Sequence, residues 1–187
     1  MKKVFRFTSL FIAAICISTC IVSAQEKTVM VGGAAMYPSK NIVENAMNSK
    51  DHTTLVAAVK AAYLVETLEG IGPFTVFAPT NEAFNKLPAG TVDNLLKPEN
   101  KSQLTSVLTY HVVTGKIDSK TLMDLIKKNN GTYTATTVQG GKLMFSMKGN
   151  NLMVMDESGN TAKVTIKDVY QSNGVIHVID TVLMPKS

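Results

Sequence analysis

Cysteine is nearly missing from this 187-residue chain: its two copies, Cys16 and Cys20, both fall within the first 24 residues. If that segment is removed, no disulfide, thiol nucleophile or cysteine metal site is left, and the hydrophobic core alone must hold the fold. The common catalytic signatures are also lacking. The chain has no Gly-x-Ser-x-Gly elbow, no His-Glu-x-x-His and no Walker loop. Its three histidines show no His-x-His or His-x-x-x-His spacing that would supply two metal ligands from one element. Excess charge is small. Lys2, Lys3 and Arg6 leave with the first 24 residues, so 19 basic residues become 16 against 14 acidic ones and the net charge falls from +5 to +2. That balance, with no basic run and no basic–aromatic patch, excludes a case for nucleic-acid binding. No internal repeat is visible, so the chain carries one copy of whatever unit it forms.

What is present begins with a processing segment. A basic start is followed by an apolar run over 10–22 and a small-residue cleavage site, Val22-Ser23-Ala24, before Gln25. The run is too short to span a membrane well. Cys20 in Ile17-Ser18-Thr19-Cys20 offers a lipidation alternative, but Thr19 is a poor residue before a lipidated cysteine. Residues 1–24 therefore read as a signal peptide. The remaining chain of about 163 residues is large enough for one domain. Its expected location is secreted, either extracellular or periplasmic, with no membrane span in the mature chain.

Residues 25–39 read as an extended leader whose Val29, Met30, Val31, Met36 and Tyr37 are placed to lie against the domain. Ser39 or Asn41 opens a helix carrying Ile42, Val43 and Ala46. Asp51 or Thr53 caps a longer one, with Leu55, Val56, Val59, Ala62, Leu64 and Leu68 at roughly helical spacing, ended by Gly70 and Gly72. The most informative stretch is Gly72-Pro73-Phe74-Thr75-Val76-Phe77-Ala78-Pro79-Thr80-Asn81-Glu82-Ala83-Phe84. Phe74, Val76 and Ala78 share a face at period two, Pro79 ends the ladder, and Thr80 or Asn81 can cap a helix favoured by Glu82. Short helical signals follow at Thr91 and at Leu104, Val107 and Leu108, the latter leading into a strand at Tyr110-His111-Val112-Val113. Asp118 or Ser119 caps a last helix with Leu122, Leu125 and Ile126. From Thr132 the period changes to alternation. Strands are expected over 132–138, 142–147, 152–155, 163–170 and 175–184, separated by Gly140-Gly141, Gly149-Asn150-Asn151, Ser158-Gly159-Asn160 and Asn173-Gly174, residues that supply positive φ in hairpins. Helices first and a meander after make an α+β domain.

Three of these segments resemble the signatures of the fasciclin-like domain, a secreted module associated with adhesion. They are the strand–helix unit at 72–84, the Tyr-His element in Leu108-Thr109-Tyr110-His111-Val112-Val113, and Asn173-Gly174-Val175-Ile176-His177-Val178-Ile179-Asp180. The resemblance covers about 40–185, giving domain bounds of 40–186. It implies N-terminal helices packed on a C-terminal antiparallel β-wedge of two sheets. It also implies a non-catalytic protein of cell adhesion, extracellular-matrix or cell-surface binding. The expected partner is an extracellular protein or polysaccharide; no enzyme activity and no cofactor are expected, and the protein should be a monomer. The alternative is a periplasmic small-ligand or copper(I)-binding protein.

Each candidate for chemistry also has a plainer structural reading. His52 precedes a helix and reads as solvated. His111 and His177 sit among apolar neighbours and read as structural imidazoles donating to backbone carbonyls. His177 and Asp180 are three apart on a strand, so they point to opposite faces and form no dyad. Asp156-Glu157 beside Ser158-Gly159-Asn160 reads as a solvated turn, since neighbouring carboxylates do not converge as a glycosidase pair must. Among the nine methionines left after cleavage, Met144, Met147, Met153 and Met155 crowd two strands. Thioethers suit copper(I). Met144 and Met147 must face opposite ways, however, so all four cannot converge, and core filling is the expectation. The resemblance adds binding residues: some animal fasciclin domains are recognised by integrins through an Asp-Ile pair, which aligns with Asp168 and Val169. Valine replaces isoleucine here, and Lys167 stands where some members have proline. Tyr110 and His111 fall in the other region implicated in adhesion. Without the resemblance, Asp168 would pair with a lysine at a strand end and Tyr110 and His111 would be core. No catalytic residue and no metal ligand is assigned.

Overall fold

The computed structural model describes residues 27–186. The segment read from sequence as a signal peptide, with Cys16 and Cys20, lies outside the described residues. Strands β1 (Val29–Val31) and β2 (Ala34–Met36) form an antiparallel hairpin turning at Gly32-Gly33, both with positive φ. Val31 and Met36 are buried in the main core, so the leader is extended backbone folded back on itself and packed.

Helix α1 (Ile42–Ala46) starts at Asn41, which closes a capping box with Glu44. A 3-10 turn (Lys50–His52) leads into α2 (Thr53–Ala61). The single long helix expected through Leu68 is in fact two. The chain breaks at Tyr63, with φ 58, and restarts as α3 (Val65–Glu69). Neither Asp51 nor Thr53 caps α2. Instead Asn81, from a later helix, accepts from Thr54 N (3.0 Å) and donates to Lys50 O (2.9 Å). The cap is thus set by a residue distant in sequence.

Strand β3 (Phe74–Pro79) turns directly into α4 (Asn81–Asn85), with Thr80 as the N-cap accepting from Ala83 N. Helices α5 (Thr91–Leu95) and α6 (Lys101–Tyr110) follow, then β4 (Val112–Thr114). Tyr110 and His111 are therefore the last residue and the C-cap of α6, not strand residues. Helix α7 (Ser119–Lys128) is capped by Asp118. Strands β5 (Thr132–Thr136), β6 (Lys142–Lys148), β7 (Asn151–Met155), β8 (Thr161–Gln171) and β9 (Gly174–Ile179) complete the fold.

The larger sheet has the order β4-β3-β9-β8-β7-β6-β5. Register shifts in β8 between Val164 and Ile166 and between Ile166 and Val169 bend it. The long β8 thus belongs to both halves of a wedge, and a bridge from Val113 to Thr137 draws the far ends together. The wedge is not wholly antiparallel, because β3 and β9 run parallel from Phe74↔Gly174 to Pro79↔Ile179. These strands are joined through most of the domain, so no hairpin constrains their direction. Gly174 does not have the positive φ expected of a turn glycine. It is needed for space, since a Cβ there would collide with the Phe74 carbonyl of the parallel neighbour.

One core cluster lies between the helices and β3–β9. The other lies between α7 and the inner face of β5–β8, around Phe77, Tyr110, Leu122, Leu143 and Phe145. Met147 packs against this second cluster. Met144, Met153 and Met155 are half-buried on the opposite, outer face of the sheet, so core filling describes only Met147 of the four.

Candidate functional site

Asp168 stands at the second irregularity of β8 with φ 61, a left-handed conformation that aspartate tolerates better than most residues. The bulge aims its carboxylate at the start of α7. One oxygen accepts from Ser119 N (2.6 Å) and the other from Ser119 Oγ. Asp118 meanwhile accepts from Thr121 N (2.8 Å). Two carboxylates thus serve the positive end of one helix. Backbone hydrogen bonding holds the Asp118 carboxyl below its ordinary range. Among the described residues no lysine pairs with Asp168, which corrects the strand-end ion pair read from sequence.

The Asp168 amide donates to His177 Nδ1 (3.3 Å), so the ring proton is on Nε2, which donates to Ile117 O (3.0 Å). His177 is fully buried, and desolvation lowers its pKa. It stacks on Phe77, with ring centroids 5.5 Å apart. Phe77 N in turn donates to His111 O (2.9 Å). His111 donates from Nδ1 to Val107 O (2.8 Å) and accepts at Nε2 from Leu183 N (3.0 Å). Burial pushes its pKa down to about 4. Tyr110 donates its hydroxyl to Lys142 O (2.7 Å) and accepts from Glu157 N (3.2 Å). Both histidines therefore have the structural role read from sequence, and each clips together distant segments. His52 does not stay solvated: it is buried, with Nδ1 2.9 Å from Ser49 Oγ. Asp156 is also buried. It accepts from Ser158 N, Asn160 N, Asn160 Nδ2 and Met184 N, so it organises its turn from inside.

Of the four residues implied by the resemblance, only Asp168 reaches the surface. Val169 (1 % exposed), Tyr110 and His111 are interior. The surface beside Asp168 is completed by residues not singled out from sequence. Tyr170, 38 % exposed, lies under Lys116 Nζ at 4.9 Å from the ring centroid and donates to Asp118 Oδ2 (3.3 Å). The only sequence signal for them was the cap at Asp118, because their convergence depends on the bulge. A polar cleft of about 290 Å³ adjoins Ser119 and is lined by Asn150, Asn151, Lys163, Thr165 and Lys167. A separate apolar cavity among α1, α2, α3 and β3 holds only about 40 Å³, too little for a typical organic ligand. Among the described residues no three His, Cys, Asp or Glu side chains are grouped to hold a metal ion. The arrangement presents an aromatic ring, a cation and two carboxylates at a rigid strand–helix junction. Inside it, His177 is engaged through both ring nitrogens and both Asp168 carboxylate oxygens are taken up by Ser119.

Comparison with known proteins agrees with this architecture. The family profile described as Fasciclin domain matches residues 50–185. The chain is 49 % identical over 164 residues to Protein sll1483 of Synechocystis sp., covering 86 % of this chain and 82 % of that one. It is 42 % identical over 145 residues to Immunogenic protein MPB70 of Mycobacterium bovis, covering 75 % and 66 %. It is 38 % identical over 160 residues to Cell surface glycolipoprotein MPB83 of the same species, covering 83 % and 64 %. The chain thus spans about two thirds of the length of these mycobacterial relatives. Among solved structures, a FAS1 domain pair from the insect cell adhesion molecule Fasciclin I superimposes with a TM-score of 0.69 at 16 % identity. That match covers 85 % of this chain and 58 % of that one, and it shows likeness of fold alone.

Proposed function

The chain belongs to the fasciclin domain family, and from that premise we propose that it is an exported, non-catalytic adhesion module. Residues 1–24 serve as the signal peptide and 40–186 form the domain. The mature protein acts as a monomer outside the cytoplasm and binds an extracellular protein or a polysaccharide. Its contact surface is the junction of β8 and α7, with Asp168, Tyr170, Lys116 and Asp118 outermost. Val169, Tyr110 and His111 are interior and support the fold without touching the partner. The observation that carries this reading is the left-handed Asp168. An unusual backbone conformation held by a helix N-terminus and a buried histidine places one half-exposed carboxylate beside an exposed aromatic ring. Surface relatives such as the glycolipoprotein MPB83 support a location on the outside of the cell.

The test is binding of the purified protein to an array of matrix proteins and glycans at two salt concentrations, comparing wild type, Asp168→Asn and Tyr170→Ala. Asparagine tolerates the left-handed backbone but removes the charge. Binding that falls about tenfold or more in either variant, with the fold retained by circular dichroism, supports the surface; tenfold corresponds to about 1.4 kcal/mol. Equal binding by all three proteins moves the contact elsewhere. No binding to any probe counts against adhesion.

A further inference from the structure

The outer face of the β6–β7 hairpin carries a thioether triangle that the sequence pattern did not bring together. Met144 lies directly opposite Met155 in the β6/β7 register, and Met153, two residues along β7, lies opposite Ser146 on the same face. Flanking them are Thr134 opposite Met144 on β5, and Thr161 and Lys163 opposite Met155 and Met153 on β8. Cross-strand neighbours have Cβ atoms about 5 Å apart and diagonal ones about 7–8 Å. A methionine side chain has three rotatable bonds, so three sulfur atoms on such a triangle can reach a common point. All three methionines are half-buried, and the buried residues of these strands, Leu143, Phe145, Leu152 and Val154, point the other way. A depression bordered by Thr134, Lys142 and Glu157 opens beside Met144 and gives access to it.

Three neutral soft ligands with no imidazole or thiolate nearby select a soft monovalent ion over zinc, calcium or magnesium. The lysines at the rim, Lys142, Lys163 and Lys186, oppose a monovalent ion less than a divalent one, and the Glu157 carboxylate at the same depression offsets them in part. We propose that Met144, Met153 and Met155 form a surface site for one copper(I) or silver(I) ion. The ion binds as supplied, with no electron transfer, and the site does not depend on the adhesion surface at β8 and α7.

The test is anaerobic titration of the purified protein with silver(I), and with copper(I) kept reduced by ascorbate, followed through the methionine methyl resonances. One equivalent should shift the methyl signals of Met144, Met153 and Met155 together and leave those of Met30 and Met47 in place. Zinc(II) should shift none. Met153→Ile with Met155→Ile, checked for an unchanged fold by circular dichroism, should weaken silver(I) binding at least tenfold. No stoichiometric binding, shifts centred on other methionines, or full affinity in a folded double variant would each overturn the site. The wild-type methyl shifts decide the matter even if the double variant fails to fold.

Discussion

Asn173 shows how a single side chain can make a signature motif structural. Its Oδ1 accepts from Ile42 N (3.1 Å), while Nδ2 donates to Leu68 O (2.7 Å) and Gly70 O (2.9 Å), joining α1, the end of α3 and the entry to β9. Asn173→Asp keeps the shape but loses both donors and brings an anion to two carbonyls. The expected loss is about 2–4 kcal/mol, read as a shift in the urea midpoint. Gly174→Ala should cost about 3 kcal/mol by forcing β9 away from the Phe74 carbonyl. Phe77, packed between Phe145 and His177 at 5.2 and 5.5 Å, should cost about 3–5 kcal/mol when cut to alanine. Asp168 carries stability as well as surface charge. Two hydrogen bonds to Ser119 and a φ of 61 make Asp168→Ala destabilising, by about 1–2 kcal/mol in a thermal melt, whereas Asp168→Asn should lose less.

At the scale of elements, the informative pieces are those whose ends are fixed from elsewhere. Helix α2 takes its cap from Asn81, a residue that the sequence pattern places only at the start of α4. Strand β8 is read correctly as a strand, but its bulges, which make one sheet into a wedge and aim Asp168 at α7, have no glycine or proline to announce them. The β1–β2 hairpin precedes the residues that the family profile matches, 50–185, yet Val31 and Met36 are core, and Asn45 exchanges hydrogen bonds with both the amide and the carbonyl of Tyr37. A chain beginning at residue 40 should therefore unfold at lower urea than one beginning at 25. The expected difference is about 3–5 kcal/mol from two lost core side chains. Equal midpoints would show that the hairpin adds nothing.

For the whole molecule, three buried histidines set the response to acid. His111, His52 and His177 all have lowered pKa values in the folded state, chiefly because burial disfavours the charged ring. Above about pH 6.5 these rings are neutral folded or unfolded, so they add no pH dependence. Below it the unfolded chain takes up protons that the native state refuses, and stability falls as pH drops from about 6.5 toward 4. His111 alone, titrating at about 4, accounts for about 3 kcal/mol over that window. Protonation would also remove the ring acceptors for Leu183 N and Asp168 N, opening both clips. Urea midpoints at pH 7.5 and 5.0 should therefore differ clearly, and a flat profile would contradict neutral buried rings.

The α+β class and the strand–helix unit at 74–85 were legible in the sequence, which also narrowed three helix caps to pairs that contain Asn41, Thr80 and Asp118 and offered a structural reading of His111 and His177. Those features depend on local periodicity and on side chains reaching a few residues along the chain, and the three signatures were enough to point to the family. Tertiary contacts alone set the parallel β3/β9 pairing, the burial of His52 and Asp156, and the interior position of Val169. They also placed Tyr170 and Lys116 beside Asp168, and three methionines on one outer face. The physical reason is common to all of these. Each depends on which distant segment arrives opposite, through register, bulge or a long-range hydrogen bond, and no local pattern encodes that arrival.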